Sequence, residues 1–264
     1  MRRLSLLIFA WAVLVPMLPA AFAGDNIVSL QTRAGVTQRF ALLVPDKPRA
    51  TVILFSGGDG KVPLDKLEPG QFIKKGNFLV RIRYQLRDSG LAVAIVDVPS
   101  DRQSGGLSGF RFSEQHAQDV AAVIDYLKGL ADIPIWLVGT SRGTESVASL
   151  AVKLGSRVDG IVLTSSITVT NNGGTSILTL PLNKTTVPVL VVAHRNDACF
   201  VSPPARAQEI AAAFAASPRK KVVIVEGGSP PQSDPCEALA QHGYIGIEGE
   251  VTRTMVDFIG PATR

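Results

Sequence analysis

Ser141 stands at the centre of Gly139-Thr140-Ser141-Arg142-Gly143, directly after the apolar run Ile135–Val138. A serine hydroxyl becomes a useful nucleophile when a base takes its proton and a carboxylate orients that base. The flanking glycines have a steric reason. Where a strand bends straight into a helix, a Cβ two residues to either side of the serine would collide with the neighbouring backbone, and glycine removes it. A G-x-S-x-G pattern arises by chance in roughly one chain in seven of this length and composition, so its position after a strand carries the weight. Asp197 closes Ala193-His194-Arg195-Asn196-Asp197, just past the run Val187–Val192. His242 lies in Gln241-His242-Gly243-Tyr244, beyond the run Lys221–Val225. His194 and His116 are competing bases, the first beside Asp197 and the second in the first turn of a helix.

The positioning elements follow from hydrophobic patterning. Apolar runs occur at Phe40–Val44, Thr51–Phe55, Leu91–Val98, Ile135–Val138, Val158–Leu163, Val187–Val192 and Lys221–Val225. Several are apolar almost throughout, as expected for strands covered on both faces. Between them, helical periodicity fits Phe78–Leu86, Thr144–Lys153, Pro204–Ala215, Glu248–Ile259 and a segment capped by Ser113 that carries Val120, Val123, Ile124, Leu127 and Leu130. This alternation predicts an α/β fold, a doubly wound and mostly parallel sheet of about seven to eight strands with right-handed crossovers. Ligands in such folds lie at the carboxyl edge of the sheet. Ser165–Thr186, the longest unassigned stretch, is long enough to shape a pocket and too short for a separate cap domain.

In strand order and at the serine pentapeptide, nearly all of the chain beyond residue 23 resembles the α/β-hydrolase fold superfamily, in particular exported bacterial serine hydrolases. The resemblance implies Ser141 as nucleophile, Asp197 as orienting acid and His242 as general base, in that chain order. It also implies an oxyanion hole with the Arg142 backbone N–H as one donor. The second donor comes from Phe55-Ser56-Gly57-Gly58-Asp59-Gly60, which resembles the family's HGGG-type turn. Ser56 stands where histidine is frequent and Asp59 interrupts the glycines, so Gly58 is preferred over Gly57 and Asp59. Ser56, Gly57, Asp59, His116 and His194 are candidate pocket residues. Arg102, Phe110 and Arg111 should border the entrance, the arginines as solvated loop residues. The implied activity is hydrolysis of a carboxylic ester through an acyl-enzyme, and the same residues would also serve amide or thioester cleavage. A non-catalytic binding protein on this fold is the reading from another class, and it would not require all three of Ser141, Asp197 and His242. Nothing resembles a large apolar lid, which argues against a lipase acting at interfaces.

Composition narrows the partners. Met1-Arg2-Arg3, a short apolar run and Ala21-Phe22-Ala23 form a signal peptide over residues 1–23, leaving one domain over 24–264. The apolar run is too short for a membrane span, so no stable membrane anchor is expected after cleavage. Lys plus Arg number 27 against 22 acids. Removing Arg2 and Arg3 leaves a scattered excess of about three, which excludes a nucleic-acid surface. Cys199 and Cys236, alone in an exported chain, are expected to pair as a disulfide that ties the Asp197 loop to the His242 loop. No cysteine–histidine spacing suits a metal. Gly57 to Lys61 fails as a phosphate loop because Val62 replaces the required Ser or Thr. A monomer without cofactor, acting on a small ester substrate in the periplasm or outside the cell, is the expectation.

Overall fold

Residues 26–66 and 76–260 are described by the structure, a computed structural model; the expected leader at 1–23 lies outside the described residues. Eight strands form one sheet: β1 (Asn26–Arg33), β2 (Val36–Leu43), β3 (Ala50–Phe55), β4 (Leu91–Val96), β5 (Ile135–Thr140), β6 (Gly160–Thr164), β7 (Val189–His194) and β8 (Lys220–Val225). Their order is β1-β2-β4-β3-β5-β6-β7-β8. β1 and β2 form an antiparallel hairpin turned at Gly35, whose φ of 69° suits glycine. β2 runs antiparallel to β4, and every pairing from β4 through β8 is parallel.

Apolar patterning builds the layers. In β5, Ile135 and Leu137 face one side of the sheet while Trp136 and Val138 face the other, as the two-residue period of a strand requires. The first side is covered by α3 (Glu114–Leu130), α4 (Gly143–Leu154) and α5 (Ala207–Ala213). The second is covered by α1 (Phe78–Arg81), α2 (Arg83–Asp88) and α6 (Glu248–Ile259). Ile53, Leu54 and Leu137 are fully buried, and each such side chain contributes roughly 1.5–3 kcal/mol.

Three local features differ from the patterning. β1 was not expected, because NIVSLQTR alternates exposed and half-buried positions at a sheet edge instead of forming an apolar run. The Phe78–Leu86 segment is two short helices broken at Ile82, whose ψ is 1°. Pro204–Arg206 forms a 3-10 turn before α5. Among the described residues no large cap covers the sheet: residues 165–186 contain two short 3-10 turns, Ile177–Thr179 and Leu182–Lys184. At the amino ends of the strands a cavity of about 330 Å³ is lined by Ala50, Pro134, Trp136, Asp159, Pro188 and Arg219 among others. Among the described residues no helix is long and apolar enough to cross a membrane.

Candidate active site

The chain leaves β5 through a turn that only glycines could flank. A Cβ on Gly139 would lie 2.5 Å from the Gly143 carbonyl oxygen, and one on Gly143 would lie 2.0 Å from that of Phe55. Ser141 itself takes a φ of 53°, a left-handed conformation that costs a non-glycine residue about 1–2 kcal/mol. Two sets of bonds hold it there. Its N–H donates to Thr164 O at 3.0 Å, while its carbonyl accepts from the N–H and hydroxyl of Thr144 at 2.9 and 2.6 Å. The hydroxyl therefore sits at the carboxyl edge of β5, beside the end of β6.

Asp197 and His242 arrive from the ends of β7 and β8, beyond β6. Asp197 follows β7, and its N–H donates to His194 O at 3.0 Å. His242 lies in the 3-10 turn Gln241–Gly243, after β8. His242 Nδ1 is 2.9 Å from Asp197 Oδ2, and both side chains are buried. The carboxylate also accepts from Cys199 N at 2.9 Å and from the Ser202 hydroxyl at 3.1 Å. Ser202 Oγ lies 3.0 Å from Nδ1, so the hydroxyl braces both members of the pair. His242 Nε2 is buried with no hydrogen-bond partner among the described residues. With Nδ1 committed to the carboxylate, Nε2 is the nitrogen left to exchange a proton. The Ser141 hydroxyl does not bond it here, a looseness common in unliganded sites.

Ser165 links the serine turn to the backbone of the histidine turn. It follows Thr164, the residue that accepts from Ser141 N, and its hydroxyl donates to His242 O at 2.8 Å. The Tyr244 hydroxyl, which burial pushes above the usual phenol range, donates to Val192 O at 2.9 Å and accepts from Ser165 N at 3.0 Å. Buried Arg81 holds the other flank of the histidine turn, donating to Ala238 O at 2.9 Å and Gly243 O at 2.7 Å. Cys199 and Cys236 form the expected disulfide, with Cα atoms 4.5 Å apart.

Gly57 lies against the nucleophile turn: a Cβ there would be 2.9 Å from Ser141 Cβ. Among the described residues neither Gly58 N–H nor Arg142 N–H takes part in a backbone–backbone hydrogen bond outside the helices and strands. The Asp59 carboxylate instead turns outward to Lys61, accepting from its N–H at 3.1 Å. Ser56 is buried, and its hydroxyl has no hydrogen-bond partner among the described residues.

Several expectations need correction. Arg111 is not a solvated entrance residue; it is 1% exposed. Its Nη1 donates to Ser146 Oγ at 2.9 Å, and its Nη2 donates to Ser56 O at 3.3 Å and Gly58 O at 3.1 Å. Its Nε lies 3.7 Å from Glu145 Oε2. Burial lowers its pKa to about 10, with Glu145 opposing that fall, so it stays protonated near neutral pH. The same burial raises Glu145 above its ordinary value, against the pull of Arg111 and Arg142. Phe110 is buried, and the half-buried Arg102 stacks 4.4 Å over its ring. His116 does not reach a pocket rim. It is buried between Phe55 and Phe110, and loss of solvation depresses its pKa to about 3, keeping it neutral. His194 uses Nε2 on Gly227 O at 3.1 Å and Nδ1 on Asn196 N at 3.0 Å, which leaves neither nitrogen for a substrate. Sequence reasoning missed Ser202, Ser165, Tyr244, Arg81 and Glu145 altogether. Among the described residues no group of three or more His, Cys, Asp or Glu could hold a metal ion.

No family model and no curated protein matches the sequence. Solved structures do match in shape. A dienelactone hydrolase from Anabaena variabilis superposes with a TM-score of 0.64 at 14% identity, covering 90% of this chain and 98% of that one. Est1E from Butyrivibrio proteoclasticus gives 0.58 at 17% identity, covering 89% and 97%. A predicted CIB-like hydrolase from Thermoplasma acidophilum gives 0.58 at 18% identity, also covering 89% and 97%. With the sheet order, the mostly parallel pairing and the absence of a large cap among the described residues, these likenesses place the chain in the α/β-hydrolase fold.

Proposed function

We propose that the protein is a serine hydrolase that cleaves a carboxylic ester through an acyl-enzyme on Ser141. The observation that carries this reading is the buried His242 Nδ1–Asp197 Oδ2 contact of 2.9 Å, with Nε2 unpartnered among the described residues, together with a serine on a left-handed turn at the carboxyl edge of the same sheet. In the first step Ser141 Oγ bonds to the acyl carbon, its proton passes to His242 Nε2, and the carbonyl electron pair moves to oxygen. Asp197 keeps Nδ1–H oriented and stabilises the imidazolium. The N–H groups of Arg142 and Gly58 receive the developing oxyanion. Collapse expels the alcohol, which takes the proton back from Nε2, and water repeats the sequence to release the acid.

A cold-adapted esterase among the solved structures of the same shape supports an ester over an amide. The disulfide supports an oxidising compartment, in keeping with export directed by residues 1–23. Labelling with a fluorophosphonate probe tests the nucleophile: the wild-type protein should be modified at Ser141 and Ser141→Ala should not. A panel of p-nitrophenyl esters beside p-nitroanilides tests the bond cleaved. A folded wild-type protein that resists the probe and hydrolyses neither series would end this reading in favour of a binding role.

A further inference from the structure

The loop after β3 is rich in glycine, at Gly57, Gly58 and Gly60, and glycine backbones have little preference of their own. Contacts must therefore set which way its peptide groups point, and the structure supplies one for each. Ser56 O and Gly58 O both accept from Arg111 Nη2, at 3.3 and 3.1 Å, and Gly57 O accepts from Gly60 N at 3.1 Å. In a trans peptide the carbonyl and the next residue's N–H point opposite ways. Arg111 thereby fixes the Gly57 and Asp59 N–H groups directly, while the Gly58 N–H, set by Gly60 N on Gly57 O, lies on the peptide clamped between the two that Arg111 holds, next to the turn that carries Ser141.

The far side of the same guanidinium grips α4, the helix that begins two residues after the nucleophile. Nη1 donates to Ser146 and Nε faces the Glu145 carboxylate. Glu145 is held in turn by Thr175 N at 3.1 Å and by Arg142 Nη1 at 3.4 Å. A buried ion pair gains little net stability over apolar side chains of the same size, whereas a planar five-donor fork fixes several acceptors at once. The guanidinium thus joins the donor loop to the nucleophile helix as one rigid unit.

Building on the serine-hydrolase reading, we infer that Arg111, held by Glu145, is a positioning residue that aims the backbone donors of the Ser56–Gly60 loop at the substrate oxyanion. Its contribution appears when the carbonyl oxygen becomes charged, and so in kcat more than in KM.

The test compares wild type, Arg111→Lys and Glu145→Gln, each checked for folding by circular dichroism. Lysine keeps the charge but lacks the fork that spans both carbonyls. For p-nitrophenyl acetate, kcat of Arg111→Lys should fall about 10- to 100-fold, with KM within about threefold. An alkyl trifluoromethyl ketone adds Ser141 Oγ to its carbonyl carbon, passes the proton to His242 Nε2 and places an oxyanion in the same donors. Its inhibition constant should rise in parallel with the loss of kcat. Glu145→Gln leaves the guanidinium in place but loosens it, and should show a smaller parallel shift in both.

A folded Arg111→Lys with kcat and ketone affinity unchanged, or with kcat lost while ketone affinity stays, overturns the inference. If Arg111→Lys fails to fold, Glu145→Gln decides: no parallel shift, or failure to fold in this variant as well, assigns the pair to stability alone. Wild type that neither turns over the ester nor reacts with a fluorophosphonate would instead refute the serine-hydrolase reading itself.

Discussion

Replacing Cys199 and Cys236 with serine together removes the covalent tie between the two loops that supply Asp197 and His242. The bond joins positions 37 apart in sequence. For a closed loop of that length, chain entropy gives a stabilisation of about 4 kcal/mol, all from restricting the unfolded chain. The effect on chemistry is separate and depends on the bonds that remain. Cys199 N would still donate to Asp197 Oδ1. The acid loop keeps the bonds from Thr168 N and Val169 N to Val201 O, and the histidine turn keeps the Arg81 bonds to Ala238 O and Gly243 O. The loops should therefore drift by less than the 1 Å that costs on the order of 100-fold in rate, leaving a kcat loss of about tenfold. Urea unfolding followed by circular dichroism measures the first quantity, and steady-state hydrolysis of p-nitrophenyl acetate the second. Unchanged kcat with the full stability loss would show that the bond does not align the site. Unchanged stability would refute the chain-entropy reasoning.

Three more outcomes can be checked. His116 is neutral when folded, with a pKa near 3 because burial excludes the charged form, whereas an unfolded histidine titrates near 6.5. The unfolded chain therefore binds an extra proton as pH falls below about 6.5, and stability declines in the acid direction. Between pH 7.5 and 5 this amounts to about 2 kcal/mol, and the decline should shrink by that amount in His116→Phe, measured by urea titration at both pH values. Ser202→Ala removes the hydroxyl that donates to Asp197 Oδ2 at 3.1 Å; kcat/KM for an ester should fall about tenfold while the fluorophosphonate still reaches Ser141. Gly143→Ala would force a Cβ to 2.0 Å from Phe55 O, so soluble, active protein from this variant would contradict the described turn.

The readable parts of the sequence are those where local composition and tertiary placement agree. β3, β5 and β7 are buried on both faces, so they appear as uninterrupted apolar runs, and the residues just past the end of each run lie at the carboxyl edge. That is why Ser141, Asp197 and the glycine loop could be located from spacing. β1 was hidden because an edge strand with half-buried positions alternates and never forms such a run. Arg111 was misread for a different reason. An arginine in a loop defaults to solvent, and its burial depends on acceptors at residues 56, 58, 145 and 146, separated from it by 30 residues or more. Ser202 shares this problem: a serine in a turn carries no mark of the carboxylate five positions earlier. His116 and His194 were drawn toward the pocket by residue type, but His116 is enclosed by two phenylalanine rings and both nitrogens of His194 are taken by backbone groups.

The hollow at the amino ends of the strands, beside Trp136, has a practical consequence. Every residue proposed to take part in the reaction lies on the opposite rim of the sheet, so the molecule divides its labour between two ends. Two added carbons there, as in Ala50→Val, would gain about 1.6 kcal/mol if they fill empty space, without touching the donors, the base or the nucleophile. Robustness could then be raised from one rim while selectivity is altered from the other.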